Sequence, residues 1–307
     1  MEKHMGKCAL CGEDCELTYE HIPPRSAFNN KPAQLYSGQK LISNNERMPW
    51  DVEGLNYISR QKGAGTWSLC ASCNNLTGTW YGDAYKEMAH IMVHTLQEWR
   101  DGLPEGIAIK DIYAARFIKQ ILSMFCSVNN DKALEPFLHP YTVDDKTNHS
   151  QLVQTIIEAQ MALFSATSMM DELRSFVLDK EAKGLDKQKF KICMYLTKSR
   201  MLKMNGLSAV MDMATNSFVT ISEITAFPFG FLIYFNPPEG LQHQGVDITA
   251  LADLGYDDKV TIQFPMKILE MNTYLPYDYR TKEEIMVAVE EANEFSSNLD
   301  MNIPGCE

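Results

Sequence analysis

From residue 190 onward the apolar positions come in short runs separated by turn residues. Runs 190–196, 208–213, 218–224 and 229–235 are rich in Phe, Ile, Val and Tyr, and the middle pair is joined at Thr215-Asn216-Ser217. Branched and aromatic side chains suit a pleated, buried surface, so each run predicts a strand. Residues 260–264 predict a fifth, and together they predict an antiparallel sheet. Upstream the period lengthens. Ile112, Ala115, Ile118, Leu122 and Phe125 recur at three and four, as do Leu152, Ile156, Ala159 and Leu163 in a longer stretch reaching about residue 178. Both patterns predict amphipathic helices with a face to bury. Thr281-Lys282-Glu283-Glu284 has the form of a capping box opening a last helix to about residue 295. Helices followed by consecutive strands indicate an α+β fold.

The first hundred residues are patterned more weakly. Leu17 and Tyr19 alternate with Thr18 and Glu20, a short strand ended by Pro23-Pro24 because proline has no N–H for the ladder. Residues 63–69 predict a turn and strand, and a helix is expected from Tyr81 to about residue 100. The cluster Asp101-Gly102-Leu103-Pro104-Glu105-Gly106 marks a boundary, which divides the chain into residues 1–100 and 101–307.

Composition is that of a globular protein, 45% hydrophobic and 22% charged over 307 residues, and the longest apolar run, 226–235, is broken by Pro228 and Gly230. That is far short of the about 18 residues a spanning helix needs, and no apolar leader follows Met1, so a cytoplasmic protein without membrane association is expected. The net charge of −12 opposes a polyanion approaching the whole surface. It is unevenly spread. Residues 1–100 carry 10 basic and 11 acidic side chains, leaving 18 basic and 29 acidic, or −11, in 101–307.

Five of the eight cysteines lie in the first 73 residues, four of them as Cys8-Ala9-Leu10-Cys11 and Cys70-Ala71-Ser72-Cys73. Disulfides do not persist in a reducing cytosol, so paired knuckles of this spacing indicate thiolate ligands. Two knuckles complete a tetrahedral zinc site, which with four thiolates is closed and structural. Cys15 stands outside the paired spacing, while Cys126 and Cys193 are expected as buried free thiols. Chemistry, if present, has to lie beside the zinc. Glu20-His21 stands at the end of a strand and Asn74 follows the second knuckle, where asparagine is also a good helix cap. A neutral imidazole can accept a proton near neutral pH, and a carboxylate with an amide carbonyl suits a hard divalent cation.

Cys-x2-Cys, an acid-His pair followed by proline, then Cys-x2-Cys-Asn resembles the HNH, or ββα-metal, nucleases, most closely their four-cysteine zinc branch. The resemblance covers about residues 5–100. It implies that His21 is the general base, that Glu20 and Asn74 hold a catalytic Mg2+ or Mn2+, that Cys8, Cys11, Cys70 and Cys73 hold structural Zn2+, and that the activity is hydrolysis of DNA phosphodiester bonds. The chain departs from the family pattern at two points: glutamate replaces aspartate at position 20, and Gly65, Thr66 or Trp67 stands where the middle asparagine or histidine orients the base loop. Arg25, Lys31, Lys40, Arg47, Arg60 and Lys62 are candidate phosphate contacts. His90 and His94, four apart on a helix, lack a third ligand, and Tyr81 and Tyr85 fit packing.

Residues 101–307 show no defensible catalytic cluster; Asp278-Tyr279-Arg280 fits a surface turn. An acidic α+β domain that regulates or assembles the nuclease, through a partner or a homo-oligomer, is expected. The whole chain resembles more weakly the HNH proteins of bacterial anti-phage defence, where an appended domain controls the nuclease. A near-neutral nuclease tied to an acidic domain is expected to bind DNA weakly alone. The alternatives are a non-catalytic zinc-ribbon adaptor and a nuclease acting on RNA.

Overall fold

In the computed structural model, residues 3–37, 53–98, 106–138, 151–197, 202–212, 215–241 and 243–265 are described. Lys40, Arg47, most of the 101–106 boundary, Asp278-Tyr279-Arg280, the helix expected from 281 and Cys306 lie outside them. Strands β1 (Met5–Lys7), β2 (Asp14–His21) and β5 (Gly65–Cys70) form an antiparallel sheet in the order β1-β2-β5. Between β2 and β5 a separate hairpin pairs β3 (Ala33–Tyr36) with β4 (Tyr57–Arg60). Helix α1 (Ala71–Thr77) begins on the residue after β5 and continues through a wider turn at Gly78–Gly82 into α2 (Asp83–Glu98). The helix expected from Tyr81 therefore starts ten residues earlier, at the second knuckle.

The second half is α+β as its pattern indicates. Helix α3 (Ala114–Val128), α4 (Asp131–Leu138) and α5 (Gln151–Leu178) precede strands β7 (Phe190–Leu196), β8 (Lys203–Asp212), β9 (Ser217–Ala226) and β10 (Phe229–Phe235). These strands form one antiparallel sheet, β11-β7-β10-β9-β8, whose fifth member is the two-residue β11 (Val246–Asp247). The strand expected at 260–264 exists as β12 (Val260–Pro265) but pairs elsewhere, with β6 (Gly106–Ile112). Ile112 thus closes a strand instead of opening the helix. Among the described residues no helix is long and apolar enough to cross a membrane.

Helix α3 is more deeply placed than its periodicity suggests. Thirteen of its fifteen residues are buried, including Lys119, Gln120, Ser123 and Ser127 on the side expected to be wet. It lies between the large sheet and the N-terminal elements, and the rings of Tyr85 (α2), Phe117 (α3), Phe229 and Phe231 (β10) pack together there at centroid distances of 5.4–6.2 Å. One apolar core consequently runs from Leu10 and Leu69 to Phe264, across the 101–106 segment. The cost of burying Lys119 is met by two carbonyls: Nζ donates to Asp179 and Lys180 at 2.6 and 3.1 Å, just past the end of α5, while burial pushes its pKa down to about 8. Arg174 on α5 reaches the first knuckle, donating from Nε to the Ala9 carbonyl at 3.0 Å and pairing with Asp131 and Asp171.

Candidate metal centre and adjoining histidine site

The two cysteine knuckles meet where β2 and β5 lead away from them. Gly12 turns the first at φ 75°, a left-handed conformation that glycine adopts at no steric cost, and its N–H donates to the Cys8 carbonyl at 2.9 Å. The second knuckle is the start of α1. Cys70, not Asn74, caps this helix: its Sγ accepts from the Cys73 N–H at 3.3 Å, which puts Asn74 inside the first turn. The Sγ atoms of Cys8, Cys11, Cys70 and Cys73 all lie within 4.8 Å of one another. A tetrahedral Zn–S bond of about 2.3 Å requires sulfurs about 3.8 Å apart, so the four thiols fit zinc. Burial opposes ionisation of Cys8, but N–H donors from Cys70, Cys11 and Leu10 outweigh it and hold its pKa below the ordinary thiol value. Burial, then the neighbouring Cys8, pushes Cys73 strongly up. Four thiolates need a cation between them, which a bound zinc ion would supply.

Among the described residues, these four cysteines are the only group of three or more potential metal-binding His, Cys, Asp and Glu side chains whose ligand atoms converge. His90 is engaged otherwise, with Nε2 donating to the Ser26 carbonyl at 3.2 Å and its ring against Phe28. Tyr81 and Tyr85 are buried, the former donating to the Val177 carbonyl. Cys126 and Cys193 are buried and in no disulfide, the Cys193 Sγ lying 3.4 Å from His243 Nδ1.

Alternation along β2 sends Glu20 and His21 to opposite faces of the sheet. Thr18 and Glu20 face inward. The Thr18 hydroxyl donates to the Leu69 carbonyl at 2.9 Å, so its oxygen can only accept from Asn74, whose Nδ2 stands 2.9 Å away. That chain fixes the amide, with Oδ1 turned from Thr18. Glu20 is 7% exposed, and its carboxylate has no hydrogen-bond or ion-pair partner among the described residues. Burial alone pushes its pKa up to about 8.

His21 faces outward beside Tyr19. Its Nε2 lies 3.0 Å from the Lys62 carbonyl, which can only accept, so Nε2 carries the proton and Nδ1 is the basic nitrogen. Burial, with a smaller push from Arg25, keeps the imidazole below its ordinary pKa and neutral near pH 7.

Gly65 is the cross-strand partner of His21. A Cβ there would stand 1.9 Å from the Glu20 carbonyl oxygen, so no side chain fits. The loop is pinned from its other side by Asn29. Nδ2 donates to the Pro23 and Ala64 carbonyls at 2.7 Å each, and Oδ1 accepts from the Ala64 N–H at 2.8 Å, tying the chain after His21 to the start of β5. No periodicity or motif marked Asn29. Comparison with protein-family models, curated proteins and solved structures finds no match to this chain.

Proposed function

We propose that the chain is a metal-dependent nuclease of the HNH type that hydrolyses DNA phosphodiester bonds. The observation that carries this is Glu20. A carboxylate taken out of water without a partner is costly, and the usual remedies are a counter-charge or a cation. Such groups are enriched at functional sites. Asn74 stands on the same side of β2, bonded to Thr18, with its carbonyl oxygen oriented away from that bond. Glu20 and Asn74 are the residues that would hold one Mg2+ or Mn2+, which when bound supplies charge stabilisation to the phosphate and the leaving oxygen.

His21 takes the proton from the attacking water at Nδ1 while Lys62 holds Nε2–H. Asn29 keeps the backbone after His21 against β5, so the imidazole needs little reorganisation. The zinc knuckle fixes the start of α1, and through it Asn74. Supercoiled plasmid incubated with the full chain and Mg2+ or Mn2+ should be nicked, and His21→Ala should lower the rate about 10²- to 10⁴-fold with zinc retained. Equal nicking by both proteins would remove the assignment. Mn2+ titration of the uncleaving variant should show a weak site that Asn74→Ala abolishes.

A further inference from the structure

Beside His21 the outward face of β2 and β5 carries further rings that the hydrolysis itself does not use. His4 stacks on Trp67 with centroids 3.8 Å apart and planes 21° from parallel, Tyr19 meets Trp67 edge-on at 5.5 Å, and His21 stands beside Tyr19 at 5.2 Å. The spacing and tilt of the His4–Trp67 pair are those of stacked bases. A cation stands beside these rings: Arg60 lies over the Tyr19 ring at 5.4 Å. It is in no ion pair among the described residues. Its Nε is moreover buried without an acceptor. In a chain of net charge −12, a guanidinium without a counter-charge and with an unmet N–H, set against aromatic rings, fits an anion with several oxygens.

We propose that this face binds an unpaired DNA strand, Arg60 taking a backbone phosphate and the Trp67–His4 column taking a base, and that it delivers the strand to His21. The proposal rests on the nuclease function above and names the form of its substrate. A base inside a duplex has both π-faces covered by its neighbours, so only an unstacked base can extend a column of side-chain rings. Phosphate contact gives affinity without sequence, and ring stacking is equally tolerant, so little sequence preference is expected.

The test uses full-length zinc-loaded protein carrying His21→Ala, with anisotropy of a fluorescein-labelled single strand and of a duplex of the same sequence across a range of NaCl. The single strand should bind more tightly. Arg60→Gln should reduce the slope of log affinity against log salt by about one. Trp67→Leu should weaken the single strand about tenfold and leave the duplex unchanged, and Trp67→Phe should restore most of the loss. Zinc content and melting temperature report folding; where Trp67→Leu loses zinc, the Arg60→Gln slope decides. Equal affinity for strand and duplex, an unchanged salt slope, or a folded Trp67→Leu with full single-strand affinity overturns the proposal. Tighter binding of the same sequence as RNA overturns the assignment to DNA. Cleavage by the His21 protein without strand preference sinks this inference alone, whereas strand binding without cleavage sinks the nuclease function alone.

Discussion

Two antiparallel sheets in this chain each bury a glutamate, and they treat it in opposite ways. Glu223 on β9 is 2% exposed, and its oxygens are met by Lys203 Nζ and the Tyr195 hydroxyl. Glu20 on β2 is almost as buried and has no partner among the described residues. The surroundings differ in the same sense. Every residue of β10 is buried, and Phe and Ile fill the face toward α3, whereas β2 is mostly half-exposed and is secured by thiols, an asparagine clamp and one carbonyl on a histidine. The large sheet closes its polar groups internally, as a structural element should. The small one leaves a carboxylate and a basic nitrogen without a partner among the described residues, which is why the proposed site is placed there.

The contrast can be broken at several points. The largest effect is expected at the zinc. Cys73→Ser should abolish stoichiometric zinc and cost several kcal/mol of stability, since structural zinc contributes about 10–16 kcal/mol to small zinc domains, whereas Cys193→Ser should keep the metal; elemental analysis and calorimetry read both. Phe231→Ala should cost about 3–5 kcal/mol in denaturant unfolding with the zinc content unchanged, because β10 rests on packing.

The glutamates should then respond with opposite signs. Glu223→Gln leaves Lys203 without its counter-charge and should destabilise by about 1–3 kcal/mol, discounted because Lys203 keeps some solvent contact. Glu20→Gln should stabilise the divalent-free protein by about 1–3 kcal/mol near neutral pH, because a carboxyl ionised in the unfolded chain must take up a proton to be buried. The same variant should abolish any Mn2+-induced rise in melting temperature. The smallest stability change is expected at Asn29. Asn29→Ala should cost about 1–2 kcal/mol yet lower kcat at least tenfold with KM nearly unchanged, and a loss confined to stability would reduce Asn29 to a structural residue.

Strands β7 and β10 were legible to the residue, because a run buried on both faces is bounded sharply by turns. The thiol site was legible from spacing alone. What failed was whatever depends on a distant partner. Nothing in residues 260–264 tells which strand they join, and β6 was concealed because Ile112 happens to continue the helical period of α3. The polar stripe of α3 looked solvent-facing because only the fold brings Asp179 and Lys180 to Lys119. Asn74 was expected to cap α1, a role that went to a sulfur. Asn29 became meaningful only once Pro23 and Ala64, far apart in sequence, lay side by side.

Helix α3 gives the molecule an indivisible character. A fragment ending at α2 would present Tyr85, Met88, Ala89 and Met92 to water, since the surface they are packed in is built partly from residues after 106. Transplanting the cysteine-bearing third onto another protein would therefore carry over its ligands without its footing. Arg174 on α5 donates to the Ala9 carbonyl, so the acidic half touches the thiol knuckle directly.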